Sequence, residues 1–435
     1  MIVATSVATD ARVLKEATTL VAAGHTVHVI GKSVPADFTP PPGVTVSSVG
    51  ASSVLRREGA ASLSTRKLSP PVKLARWMML PTHRNSTFTR FGEAAEKLAA
   101  QIDADVVHAH DFTALESGAR IAAAKGVPLI YDTHEFWQGR SREYRPTPLQ
   151  DRRERRVEAA LGSQAAAVIT VGDGVASALR DRYGWGEIAV VRNSFPRKSQ
   201  AEASALPPLP EAPTAVIYAG RIGAHRELET VAAASAGIRE LGLETVLMGP
   251  VDSTWAAEFE RGDCELRVAC APDDVDAHLR SAGLVLVALA PGWENHRLAL
   301  PNKLFHAVRA GVPLVASDIG ELAAVVREYG LGTLYRPGDP ADLVRAVRDA
   351  VSGYGSLREA VEAAQTDLSW EHDGAVLVEV YDSLAGAAPP RLAEAPGAGG
   401  RMTPVTRGIK RGATMLRSVV KKAAATTEQK VGGSR

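Results

Sequence analysis

The strongest constraint on the fold is an alternation that runs along this chain twice. Short apolar, β-rich runs trade places with stretches whose apolar residues recur at helical spacing. In the first half the strand-like runs are "TVHVI" (26–30), "DVVHAH" (105–110), "VPLIYD" (127–132), "AAVITV" (166–171) and "IAVVRN" (188–193). A helical pattern at 10–23 places Val13, Leu14, Ala17, Leu20 and Val21 on one stripe and stops at Gly24. Strand, helix and strand at this spacing predict a parallel sheet with helices on both faces. The periodicity is lost over 194–213, "SFPRKSQAEASALPPLPEAP". It then resumes with "TAVIYAG" (214–220), a helix near 226–241, "ETVLMG" (244–249), "CELRVA" (264–269), "LVLVAL" (284–289), "PLVAS" (313–317) and "GTLYR" (332–336). A long helical close is predicted from 339 to about 385. The expectation is an α/β chain of two doubly wound, Rossmann-like domains facing a cleft, at 1–195 and 214–371, joined by a linker at 196–213. Ligands of such sheets lie where the C-terminal ends of the strands face the cleft.

Composition narrows the class. The 435 residues are 45% hydrophobic and 23% charged, which suits two globular cores. No apolar run reaches the roughly 18 residues a membrane-spanning helix needs. The opening "MIVATSVATD" lacks the basic flank of a secretory signal, and Cys264 and Cys270 are the only cysteines. A cytoplasmic location is expected. The net charge of +1 is unevenly spread: residues 401–435 carry nine Lys/Arg against Glu428 alone, leaving the other 400 with 41 basic and 48 acidic side chains. Residues 56–90 hold eight more Lys/Arg against Glu58. Within the tail, 386–435, Ile409, Ala413, Leu416, Val420 and Ala423 recur at helical steps among basic residues. Segments 401–425 and 56–90 therefore predict contact with an anionic membrane surface from its inner face, against the alternative of solvated faces or a helix docked on the body. No nucleic-acid partner is expected.

Four loops follow predicted strands and carry polar residues. His108, His110 and Asp111 end one strand, and His134 and Glu135 follow another. A histidine there could act as a general base or hydrogen-bond a hydroxyl; more often it is a structural contact. His108, His110 and His134 are suitable metal ligands by type but lack the spacing of a metal motif, so no metal and no cofactor is expected. In the third loop Gly220 allows a tight turn and Arg221 and Arg226 stand at a helix mouth. In the fourth, Pro301 opens a helix whose first amides, at Asn302 and Lys303, are left unpaired. Two cationic helix openings predict a diphosphate-bearing ligand such as a nucleotide. No P-loop or Rossmann glycine fingerprint supports an NTPase or a dehydrogenase.

In their order, "DARVLKEATTLVAAGHTVHVIG", "DVVHAHD", "YDTHEFW", "ITVGDGVASALRDRYG", "VVRNSFP", "YAGRIGAHRELETV", "LPNKLFHAVRAGVPLVASDIGEL" and "WEHDGAVLVEVYDSL" resemble the retaining glycosyltransferases of family 4, with the GT-B fold. The resemblance covers about residues 8–385 and is of the "LPNKLF" type. It implies transfer of a sugar, with retention, from a nucleotide-diphosphate sugar on the C-terminal domain to a lipid-linked or polysaccharide acceptor on the N-terminal one. It also implies that a helix at about 372–385 completes the N-terminal domain. Arg221 and Arg226 would clamp the diphosphate as catalytic residues, with Gly220, Asn302, Lys303 and His306 around the donor. His134 would touch the sugar and acceptor region, and His110, Asp111, Asp10 and Arg12 would line the acceptor side. Family members carry two glutamates eight residues apart; counting back from Gly311, this chain has Leu298 and His306 there. Glu294 is four residues out of register with the first. A neutral imidazole accepts one ribose hydrogen bond where a carboxylate accepts more. The rival reading is a non-catalytic GT-B protein that binds a partner enzyme or a glycan.

Overall fold

In a computed structural model the described residues are 1–50, 88–140 and 147–391. Apart from 88–90, the basic stretch 56–90 lies outside them, as does 401–425. Residues Met1–Pro390 form one compact unit. Its first sheet contains β1 (Ile2–Val3), β2 (Val27–Lys32), β3 (Val44–Val49), β4 (Val107–His110), β5 (Leu129–Thr133), β6 (Ala167–Thr170) and β7 (Ala189–Val190). The order is β3-β2-β1-β4-β5-β6-β7, with every pair parallel. The second contains β8 (Ala215–Ala219), β9 (Glu244–Met248), β10 (Glu265–Arg267), β11 (Gly283–Val287), β12 (Leu314–Ser317) and β13 (Gly332–Tyr335). Its order is β10-β9-β8-β11-β12-β13, again parallel throughout. The central strands are buried along their length, β5 and β11 at every residue, because helices cover both faces. This is the GT-B arrangement of two Rossmann-like sheets.

Three features depart from the sequence expectations. Strands β1 and β3 were not foreseen: β1 has only two residues, and β3, "VTVSSV", is an edge strand with two serines. The stretch read as a linker contains a helix, Gln200–Ala205, started by a capping box between Ser199 and Glu202. The long helical close is three helices, Pro340–Ser352, Tyr354–Ala364 and Trp370–Asp382. The first break falls at Gly353, and Ser369 caps the last helix by accepting from the His372 amide.

That last helix packs on the first sheet. Trp370, Leu377, Val380 and Leu384 share a core with Val3, Val13, Ala17 and Leu20. Trp370 Nε1 donates to Thr19 Oγ1 at 2.8 Å, and Arg192 Nε to Asp373 Oδ1 at 2.9 Å. Two further buried clusters cover the two faces of the second sheet.

Candidate active site

Strand order reverses between β1 and β4 in the first sheet and between β8 and β11 in the second. A crevice opens at each reversal because the connections leave in opposite directions. The residues singled out from the sequence gather at these two places.

On the first sheet the register sets His110 beside Val3 and Asp132. The helix Ala11–Ala22 brings Arg12 and Glu16 to the same spot, one turn apart. Arg12 grips Asp132 with two hydrogen bonds, Nε to Oδ2 at 3.1 Å and Nη2 to Oδ1 at 3.0 Å, and donates from Nη1 to the Val191 carbonyl at 2.7 Å. Its Nε also faces Glu16 Oε1 at 2.8 Å. His108 and His110 stack with ring centroids 4.2 Å apart, and His108 Nδ1 meets the Tyr381 hydroxyl at 2.9 Å. His110 Nδ1 lies 3.2 Å from His134 Nε2. His134 stands between two carboxylates, its Nε2 3.2 Å from Asp132 Oδ2 and its Nδ1 3.4 Å from Asp111 Oδ2. Its backbone amide also donates to Asp111 Oδ1 at 3.0 Å.

Burial opposes charge on His134, but Asp111 and Asp132 together outweigh it and raise its pKa to about 9. Burial would raise Asp132 as well; Arg12 and His134 dominate and hold it well below the usual carboxylate range. Glu16 goes the other way, pushed up by burial despite Arg12. Burial and the neighbouring His108 push His110 well down.

Two expectations are corrected here. Arg12 and His110 were expected to line the acceptor side, but both are buried, Arg12 4% exposed and His110 not at all. They support the wall and do not form its surface. Asp10 caps the helix, accepting from the Val13 amide at 3.3 Å and from Thr5 Oγ1 at 2.9 Å. His134 and Asp111 are the partly exposed members. Asp111 holds a φ of 61°, a left-handed conformation that costs a non-glycine residue about 1–3 kcal/mol.

On the second sheet Lys303 crosses in front of Gly220. A Cβ at Gly220 would lie 2.8 Å from Lys303 Cε and displace that side chain, and the φ of 154° there favours glycine. The Lys303 ammonium sits 4.5 Å from the Tyr218 ring centroid. Its pKa falls to about 8, first through burial and then through the charge of Arg226. Among the described residues no carboxylate pairs with Lys303 or Arg226. Arg221, by contrast, is exposed and paired with Asp252 at 3.2 Å. The helices Leu228–Glu240 and Asn302–Ala310 both start here, and neither has a side-chain N-cap hydrogen bond. Their first-turn amides are thus not satisfied by a capping side chain. His225 and Glu227 hold left-handed φ values of 63° and 58° in the same loop.

His306 belongs to a different cluster. It packs against Phe195 with the rings tilted and centroids 4.2 Å apart, and lies 3.5 Å from Asp276 Oδ1 and 3.3 Å from Arg309 Nη2. Asp276 is buried, and Arg309 and Lys198 approach it to 2.8 and 3.3 Å. Asn302 accepts from Asn193 Nδ2 at 3.1 Å, and Lys15 reaches Asn193 Oδ1 at 3.0 Å. A further tie joins the two sheets: Asn295 accepts from the Phe136 amide at 2.9 Å and donates to Glu135 at 2.9 Å.

Sequence reasoning missed Glu16, Asp132, Asn295 and Asp276. Glu16 was detectable as the partner of Arg12 four residues earlier, and Asp132 as an acid at the end of a buried strand. Nothing local marked Asn295 or Asp276.

The comparisons with known proteins agree with this geometry. The sequence profile of "Glycosyltransferase Family 4" matches residues 11–196, and that of "Glycosyl transferases group 1" matches 213–352. The architecture is GT-B, and the two profiles in this order support a glycosyltransferase family. A glycogen synthase of Mycobacterium tuberculosis is 26% identical over 286 residues, 64% of this chain and 68% of that protein. The sucrose-phosphate synthase of Thermosynechococcus elongatus superposes with a TM-score of 0.63 at 18% identity, over 86% of this chain and 92% of that one. Anabaena HepE, solved in complex with UDP, gives a TM-score of 0.59 at 14% identity, over 88% and 99%. At these identities the two structures speak for the fold alone. Among the described residues no helix is long and apolar enough to cross a membrane.

Proposed function

We propose that this chain transfers a sugar from a nucleotide-diphosphate sugar to a glycan or lipid-linked acceptor, with retention of anomeric configuration. One observation carries the reading: Lys303 and Arg226 are neighbouring cations without a carboxylate, set beside two helix N-termini. Each destabilises the other until an anion arrives, and a diphosphate answers both charges and the free amides. The UDP complex of the HepE neighbour and the glycogen synthase relative are consistent with that ligand class.

In the transfer, the bond from the anomeric carbon to the diphosphate oxygen breaks and a bond to the acceptor oxygen forms. The acceptor proton passes to the departing diphosphate. Arg226 and Lys303 stabilise the charge that grows on the leaving group, with Arg221 at the exposed rim. His134, fixed by Asp111 and Asp132, orients the sugar and acceptor hydroxyl. The reaction needs no further group from the protein, and the proposed setting is cytoplasmic, peripheral on the membrane through the basic segments.

The test is a panel of nucleotide-sugars measured by calorimetry, then by transfer to glycan and lipid-linked acceptors with the product anomer read by NMR. Binding and retained transfer are expected. No binding to any donor rules the reading out. The engagement of His306 with Asp276, at a position where the resembling family has glutamate, favours a second reading, a glycan-binding GT-B protein without turnover. Donor binding without transfer or hydrolysis would select it.

A further inference from the structure

The least explained atoms in the structure lie behind His134. Glu16 Oε2 and His108 Nε2 are buried and make no hydrogen bond. Polar atoms so buried ordinarily have partners, and each exception calls for a water, an ion or a shared proton. The spacing discriminates among these. His108 Nε2 lies 3.9 Å from Glu16 Oε2 and 3.8 Å from Asp132 Oδ2. His110 Nδ1 lies 3.9 Å from Glu16 Oε2 and 3.3 Å from Asp132 Oδ2. One donor atom from each of these four residues falls within 4.8 Å of all the others.

Three of these four separations, at 3.8–3.9 Å, are too long for a proton to bridge; only His110 Nδ1 and Asp132 Oδ2, at 3.3 Å, come near hydrogen-bonding distance. A water at their centre would sit too close to every donor. A tetrahedral ion with bonds of about 2.0–2.2 Å holds its ligand atoms about 3.3–3.5 Å apart, within a few tenths of an ångström of this arrangement. The surroundings also match what metal ligands need. His108 Nδ1 is held by the Tyr381 hydroxyl at 2.9 Å, which turns Nε2 inward. Glu16 Oε1 and both Asp132 oxygens face Arg12, while Glu16 Oε2 and the shared Asp132 Oδ2 lie toward the histidines. Arg12 would then hold the ligand carboxylates from outside, and the charge of a divalent ion would balance the two converging acids.

We propose that Glu16, His108, His110 and Asp132 bind a divalent transition-metal ion of the zinc class. Two imidazole nitrogens and two carboxylate oxygens suit such an ion better than magnesium or calcium, which take oxygen ligands. The site is closed and structural. It ties the helix Ala11–Ala22 to β4 and β5 and, through Tyr381, to the last helix. It also fixes His110, whose ring touches His134, from behind the acceptor wall.

The experiment uses tag-free full-length protein. Metal content is measured by plasma mass spectrometry, the ion is removed by prolonged dialysis against a chelator, and cobalt(II) or zinc is titrated back. The expected results are about one zinc per chain as purified, visible absorption of tetrahedral cobalt saturating at one equivalent, and a melting temperature that falls on chelation and recovers with zinc. His108→Phe keeps the ring and removes one ligand, so it should lose the cobalt absorption. Since that variant could fail to fold, the decisive measurement is made on the natural sequence. Folded protein that carries no metal, shows no cobalt absorption and melts at the same temperature with and without zinc overturns the site, and assigns the cluster to a proton shared between Glu16 and Asp132. Cobalt absorption that persists in folded His108→Phe protein overturns this ligand set.

Discussion

The two crevices are built on opposite electrostatic plans. On the first sheet every charged group has an answering charge: Arg12 faces Asp132 and Glu16, and His134 faces Asp111 and Asp132. On the second, Lys303 and Arg226 face one another, and no acid among the described residues offsets them. A wall whose charges are matched behind its surface, with the ion proposed above, holds its shape without donor or acceptor. A pair of unanswered cations keeps its attraction for a ligand. The difference between scaffold and receptor is thus written in which charges are left over.

The comparison can be broken most severely on the first side. Asp132→Asn removes one partner of a buried ion pair and leaves the Arg12 charge inadequately matched. A loss of about 3–5 kcal/mol of stability is expected, read by chemical denaturation. A change under about 1 kcal/mol would mean that the wall is not self-satisfied as described. On the second side the effects reverse. Lys303→Met should cost about 10²–10³-fold in turnover and leave the melting temperature unchanged or raised, because a repelled, half-buried charge is removed. A matching loss of stability would show that Lys303 serves the fold.

The pH dependence sharpens the contrast. Lys303 is charged below about 8 in the free protein, and the diphosphate binds the charged form. Donor affinity should therefore be highest below that pH and weaken as pH rises through it. Lys303→Arg keeps its charge across this range and should flatten the profile. A natural protein whose donor KM is level through that window contradicts the assignment. The smallest effect is expected at His306. His306→Glu puts a carboxylate where His306 now lies 3.5 Å from buried Asp276 while restoring an acceptor for a ribose, two changes of about 1 kcal/mol each and of opposite sign. Donor affinity should then move by less than about tenfold; a gain of turnover in an otherwise inert protein would identify His306 as the reason for inactivity.

Much of the fold was legible because burial on both faces of a parallel sheet leaves unbroken apolar runs, as in "VPLIYD" and "LVLVAL". Strand β1 escaped because two residues carry no period, and the close at 339–385 looked continuous because amphipathic helices in series share one pattern. At the site, Gly220, Lys303 and His134 were readable from their places after strands or at a helix start. Arg12 was misread and Glu16 missed because charge is ordinarily a mark of the surface. Their burial depends on Asp132, more than a hundred residues away in sequence. His306 was placed by counting from Gly311, which finds the right turn of helix but not Asp276, its neighbour from another element.

Asn295 has a consequence for how the cleft opens. One buried side chain supplies both hydrogen bonds to the segment that follows His134, accepting from Phe136 and donating to Glu135. Opening at that edge therefore has to release two hydrogen bonds held by one amide, so the strength of the tie is concentrated in a single residue.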